Sequence, residues 1–138
     1  MSDYFLRALA LDPENPLINF NVGLAYAHQA LKRQAENRQH LVLQGLTFFF
    51  KYYNSRKLSS KIAERQEAHY NIARVYHMLG LTNLAIQYYD LVFKEIEDGR
   101  EKTREDIVTD AAYNLQSICA MSGNQALASG ITKKWLVI

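Results

Sequence analysis

The sequence predicts an all-α chain of about seven helices in antiparallel pairs, and three observations carry that expectation. Its 138 residues hold only six glycines and two prolines, too few breakers for the many turns of an all-β chain. Apolar residues make up 49%, enough for a packed core, and they recur at helical spacing. An aromatic–Asn–aliphatic triplet occurs three times, at Phe20-Asn21-Val22, Tyr70-Asn71-Ile72 and Tyr113-Asn114-Leu115. The three asparagines stand 50 and 43 residues apart, so a helical unit recurs along the chain.

In chain order, residues 3–11 read as a helix stopped at Asp12-Pro13, because proline biases the residue before it away from helix. Asn15 can cap the next helix and Pro16 fits its first position, giving a second helix over about 16–34. A turn near 35–38 leads to a third helix over about 39–54, with Leu41, Gly45, Phe48, Phe49, Tyr52 and Tyr53. The polar, basic stretch 54–60 is a connection. A fourth helix runs from near Ser60 to Leu79, ended by Gly80, and a fifth covers about 83–97. Residues 98–102 read as a charged loop around Gly99. Thr103-Arg104-Glu105-Asp106 matches a capping box for a sixth helix, about 104–121. Ser122-Gly123-Asn124 is a turn before a seventh helix, about 125–136.

The most regular stretch is 67–93, two amphipathic helices joined at Gly80, with Ala73 and Ala85 where the helices approach and Tyr76, Tyr89 and Phe93 along the seam. It resembles the tetratricopeptide repeat, whose period is about 34 residues. Ile72, Ala73, Tyr76, Gly80, Ala85, Tyr89 and Val92 stand at that family's packing positions. A later unit keeps Leu115, Gly123 and Ala128, with Gln116 at the close-packing position. An earlier one keeps Val22, Gly23, Tyr26, Gly45 and Phe49 in a longer frame. The resemblance implies a right-handed superhelix of antiparallel helix pairs in one domain spanning 1–138. Its parts are the tail of a preceding repeat at 3–12, an extended repeat at 16–54, a regular repeat at 66–97 and a terminal repeat at 104–136. The chain is then expected to begin inside a longer array.

The net charge of +2 hides a division. Residues 28–65 carry eight Lys/Arg against two Glu, or +6, and the remainder carries eight against twelve acidic residues, or −4. The single Cys119 rules out an intrachain disulfide and a cysteine metal cluster, and suits a reducing compartment. No apolar run approaches the ~18 residues of a membrane span, and no secretory leader is expected in residues 1–12.

No metalloprotease, phosphate-loop or dinucleotide motif occurs, and His28, His40, His69 and His77 form no one-turn ligand pair. His69 fits a bulky position between helices and Cys119 a buried seam position without a neighbouring base. Glu95, Glu97, Asp98 and Glu101 lie at a helix end and in a loop, where carboxylates are solvated. No enzyme, metal or cofactor is expected. Phe48, Phe49, Tyr52 and Tyr53 form a helical core stripe, with Phe50 on the other face as an interface candidate beside Lys51. Lys51, Arg56, Lys57, Lys61 and Arg65 form a candidate basic patch, for which single-stranded nucleic acid is the alternative partner. The apolar end, with Trp135 and Ile138, is a second interface candidate, packing on the sixth helix or on another chain.

In the tetratricopeptide geometry, Asn21, Asn71, Arg74 and Asn114 are candidates for an inner peptide-binding groove, with local hydrogen bonding as the alternative. The chaperone-tail subclass needs Lys and Asn where this chain has Phe20 and Leu24, so a chaperone adaptor is the least favoured reading. Through Ala8-Leu9-Ala10-Leu11-Asp12-Pro13, Asn15-Pro16-Leu17-Ile18-Asn19, Leu84-Ala85-Ile86-Gln87-Tyr88-Tyr89 and Ala112-Tyr113-Asn114-Leu115, the whole chain resembles the C-terminal end of the large tetratricopeptide subunits of transcription factor IIIC. That resemblance implies a nuclear protein–protein scaffold for RNA polymerase III transcription. Its partners would be other subunits of factor IIIC and transcription factor IIIB, within a DNA-binding complex and away from membranes.

Overall fold

In the computed structural model, which describes residues 3–32, 36–97 and 105–136, every regular element is a helix. Seven are present among the described residues: α1 (Asp3–Leu11), α2 (Pro16–Leu31), α3 (Arg38–Arg56), α4 (Ile62–Met78), α5 (Thr82–Glu97), α6 (Glu105–Met121) and α7 (Gln125–Trp135). The expected all-α, tetratricopeptide-like class is the observed one. Thr103 and Arg104 of the expected capping box, the loop at 98–102 and Ile138 lie outside the described residues. The chain forms two compact units, residues 1–58 and 59–138.

In the first unit, Asn15 ends the break set by Pro13. Its Oδ1 accepts hydrogen bonds from the backbone N–H groups of Leu17 (3.0 Å) and Ile18 (3.3 Å), and Pro16 opens α2 without an N–H to satisfy. Asn19 is buried one turn later, and its Nδ2 donates to the carbonyls of Pro13 and Asn15, both at 2.9 Å. The side chain thus ties the α1–α2 connection to the helix it precedes. α2 and α3 then pack as a pair around Val22, Ala27, Ala30, Phe49 and Tyr52. Phe20 lies against both Phe49 (5.4 Å between centroids) and Tyr52 (4.8 Å), and Tyr26 stacks on Phe48 at 5.7 Å.

The approach of α2 to α3 depends on two glycines. A methyl group at Gly23 would lie 2.8 Å from the Phe49 ring and 3.1 Å from the Gly45 carbonyl oxygen. One at Gly45 would lie 3.2 Å from the Gly23 carbonyl oxygen. Each backbone therefore occupies the space a side chain would need.

In the second unit, α4 pairs with α5 and α6 with α7, and α6 also packs on α4 and α5. Both pairs turn in the same way. Gly80 and Gly123 take φ of +79° and +85°, in the left-handed region that glycine enters without steric cost. The N–H of Leu81 donates to the Tyr76 carbonyl (2.9 Å) and that of Gly80 to His77 (3.1 Å). Forty-three residues on, Asn124 donates to Cys119 (2.9 Å) and Gly123 to Ala120 (3.1 Å). These are two Schellman caps, which satisfy carbonyls the helix end would otherwise leave open. Four residues after each turn comes a small buried residue, Ala85 or Ala128, at which the returning helix meets its partner. Ile72, Ala73, Tyr76, Tyr89, Val92, Leu115, Ile118 and Cys119 are among the other buried residues of this core.

Gly23→Ala should lower stability by about 1–3 kcal/mol in urea unfolding, because the Phe49 ring is itself buried and has no room to retreat. Gly130→Ala should do the opposite. Gly130 lies in α7 with nothing within 4 Å of an added methyl, so the variant should gain about 0.5–1 kcal/mol from reduced backbone entropy. Equal effects at the two sites would contradict this account.

Candidate functional site

One polar tier of the second unit is assembled from three helices. Tyr70 and Arg74 are one turn apart on α4, Tyr89 is on α5 and Asn114 is on α6. The Asn114 side chain acts on the hydroxyls of both Tyr70 and Tyr89, lowering the pKa of each against the burial that raises it. The Arg74 guanidinium lies over the Tyr70 ring, 5.9 Å from its centroid, where the ring quadrupole attracts a cation. His77 Nδ1 is 3.4 Å from the Tyr89 hydroxyl. Tyr89 has no exposed surface, and burial pushes its hydroxyl up to about 12. Arg74, His77, Met78 and Asn114 line an open cleft of about 380 Å³.

Two of the four groove candidates, Arg74 and Asn114, therefore meet in this cleft. Asn71 is half-buried elsewhere on α4, and Asn21 is an exposed residue of the first unit. Asn114 lies beside Tyr70 and Tyr89 as well as on the cleft. Exposed Arg74 is the cleft's charged group.

The basic candidates divide by environment. Lys51, Lys57 and Lys61 are exposed. Lys51 Nζ is 3.6 Å from Glu14 Oε1, and Lys57 lies over the Tyr53 ring at 5.5 Å. Arg56 is half-buried at the end of α3. Arg65 has another role. Its Nε and Nη2 donate to the Glu95 carboxylate at 3.1–3.2 Å, and its Nη1 donates to the Ser59 carbonyl at 2.8 Å. His69, one turn further along α4, reaches the same carboxylate, with Nε2 3.3 Å from Oε1. Glu95 is not the solvated helix-end residue that its place in the sequence suggests, for its side chain is only 18% exposed.

Charge and burial compete in this cluster. Burial lowers the His69 pKa from its ordinary 6.5, outweighing the Glu95 carboxylate that raises it. Burial pushes the Glu95 carboxyl up, but the hydrogen bonds and charges of Arg65 and His69 bring it net below its ordinary 4.5. The resting state is thus neutral His69 donating from Nε2 to an ionised Glu95 that Arg65 neutralises.

The apolar candidates are placed as follows. Phe50 is half-buried, edge-on to Tyr53 with centroids 6.3 Å apart. Trp135 stacks on Phe93 of α5 at 4.7 Å, with Lys134 Nζ 4.9 Å above its ring. Phe93, Leu115, Leu127, Ile131 and Trp135 are among the residues around a cavity of about 320 Å³. Cys119 also lines it, and burial together with the charge of Asp90 raises its thiol pKa, which disfavours the reactive thiolate.

The buried cluster gives stability a sign with pH. With its folded pKa below 6.5, His69 takes up protons more readily in the unfolded chain, so acidification through 6.5 lowers stability until the folded pKa is passed. The contribution of Glu95 is complete above 4.5 and is lost as pH falls through its depressed folded value. The urea midpoint should fall from about pH 7.5 to about pH 5.5, and His69→Gln should flatten that slope. An unchanged slope in the variant would remove His69 as its source.

No family model matches the chain. Individual proteins do. It is 38% identical to the transcription factor tau subunit sfc4 of Schizosaccharomyces pombe over 98% of its own length. It is 36% identical to the transcription factor tau 131 kDa subunit of Saccharomyces cerevisiae over 91%, and 34% identical to the human general transcription factor 3C polypeptide 3 over 90%. The chain spans only 12–14% of the length of these relatives. It is an all-helical, tetratricopeptide-like homologue of a segment of transcription factor tau and general transcription factor 3C subunits.

Proposed function

We propose that this chain is a protein–protein interaction segment of the RNA polymerase III general transcription factor IIIC. In this reading it acts in the nucleus, joining promoter-bound subunits of that factor to transcription factor IIIB. The observation that carries the proposal is the 34–38% identity to three transcription factor subunits across 90% or more of the chain. The helix pairs add physical support, since stacked pairs offer several faces for partners and need no catalytic group. On the same reading residues 3–12, 16–54, 66–97 and 104–136 are successive, unequal tetratricopeptide units. The cleft at Arg74 and Asn114 and the apolar surface at Trp135 are its candidate contact points.

Tagged chain added to nuclear extract should retain subunits of factors IIIC and IIIB, and Arg74→Gln should reduce that retention several-fold while costing no more stability than its contact with the Tyr70 ring supplies, about 0.5–1 kcal/mol. Retention of neither factor would sink the proposal.

A second reading, contact with nucleic acid through 28–65, rests on the exposure of Lys51, Lys57 and Lys61. Phe49, Tyr52 and Tyr53 are buried and offer no stacking platform, so such contact would be electrostatic. Lys51→Ala and Lys57→Ala should then each reduce the slope of log affinity against log salt by about one. Absence of salt-dependent binding would remove this reading. The chaperone-tail alternative is least supported, because Phe20 is packed against Phe49 and Tyr52 at the place where that subclass needs a lysine.

A further inference from the structure

The segment between α3 and α4 has a property that scaffold function does not require. Residues 57–61 are non-helical, with Lys57, Ser60 and Lys61 exposed and Leu58 80% exposed. Ser59 is half-buried among them. Arg56 and Lys57 precede it by three and two residues, and Lys61 follows by two. Its own contacts are specific. The hydroxyl donates to Glu64 Oε2 at 2.5 Å and accepts from the Lys61 N–H at 3.1 Å, while its carbonyl accepts from Arg65 Nη1 at 2.8 Å. That same Arg65 holds Glu95, which in turn meets His69.

We propose that Ser59 is a phosphorylation site for a serine/threonine kinase with an acidic substrate cleft, and that its phosphate redirects Arg65 away from Glu95. Recognition follows from the chemistry of the segment. A kinase binds its substrate as an extended strand. Residues 57–61, a turn at Lys57–Leu58 followed by irregular backbone, lie outside both helices, so only Arg56 at the end of α3 must leave its helix to adopt that form. The cations of Arg56 and Lys57 on the N-terminal side suit carboxylates lining the cleft. In the transfer, Ser59 Oγ attacks the γ-phosphorus of a nucleoside triphosphate. The Oγ–P bond forms as the bond to the β-phosphate oxygen breaks, the diphosphate leaves, and the hydroxyl proton passes to the kinase's base.

The consequence follows from the neighbours. A phosphate carries about −1.5 to −2 charges near neutral pH, and Oγ loses the hydrogen it gives to Glu64. Attraction to Glu64 becomes like-charge repulsion. Arg65, already bonded to the Ser59 carbonyl, is the guanidinium held beside the new group, and a bidentate guanidinium–phosphate pair, which the neighbouring lysines cannot form, competes directly with the bidentate pair to Glu95. As Arg65 leaves, the Glu95 carboxylate keeps its charge and loses its strongest partner. His69 is the group left beside it, and the neighbouring cation that opposed its protonation has gone. Phosphate on the connecting segment is thereby sensed at the far end of α5.

The test is phosphorylation of the full chain with a basophilic serine/threonine kinase and ATP, read by tandem mass spectrometry. Stoichiometric phosphate should localise to Ser59, persist in Ser60→Ala, vanish in Ser59→Ala, and form at least tenfold more slowly in an Arg56→Gln, Lys57→Gln double variant. The His69 ring, followed by NMR, should titrate at higher pH after phosphorylation, and that movement should be absent in Arg65→Gln. Site mapping on the unaltered chain keeps the test valid if a variant folds poorly. No incorporation, or incorporation at Ser60 in place of Ser59, overturns the site. A His69 titration that ignores the phosphate overturns the exchange of Arg65.

Discussion

Two helices share a core only if their backbones come close enough for side chains from each to interlock, and that requirement governs this chain. In the first unit it is met in its extreme form, with Gly23 and Gly45 each placed where the other's side chain would be. In the second unit Ala73 and Ala85, both with no exposed surface, serve the first pair, and Ala128 serves the next. Around each close point the large residues are free to fill the seam: Phe49 and Tyr52 in one case, Tyr76 and Tyr89 in another. The aromatic richness of the sequence and its few small helical residues are therefore two sides of one packing solution.

The caps at Gly80 and Gly123 complete that solution. A pair brought together at its alanines still needs its second helix to leave the turn in the right direction. The same two hydrogen bonds fix that direction in both pairs. Asn15 and Asn124 then perform equivalent work at helix starts, the side-chain oxygen of Asn15 accepting from two backbone N–H groups and that of Asn124 from one. Directional bonds thus set the ends of the helices, and apolar burial holds the faces together.

Much of this was legible in the sequence because its signals are local. Pro13, Pro16, Gly80 and Gly123 punctuate the chain within a residue or two of the observed ends, and of the Phe48–Tyr53 stripe Phe49, Tyr52 and Tyr53 are buried as expected, whereas Phe48 is half-buried like Phe50 on the other face. What was not legible depends on register between helices. Arg65 and Glu95 are 30 residues apart, and only the alignment of α4 with α5 converts a surface arginine and a helix-end carboxylate into a shielded pair. The one local hint was the four-residue spacing of Arg65 and His69, which places both on one face of α4. Asn114 is a similar case. Its recurrence in the aromatic–Asn–aliphatic triplet was visible, but the two tyrosines whose hydroxyls it influences sit on α4 and α5, and no pattern within α6 reveals them.

The three-residue turns have a consequence for how the chain is made. A pair such as α4 and α5 closes through contacts between residues near each other in sequence, so the entropy spent on loop closure is small and formation is fast. Local helical units form on microsecond to millisecond timescales, whereas synthesis adds about 5–20 residues each second. Each hairpin can therefore close well before the next has left the ribosome, hiding its apolar seam one pair at a time. The short glycine-capped turn thus serves as an order of assembly as well as a bend in the backbone.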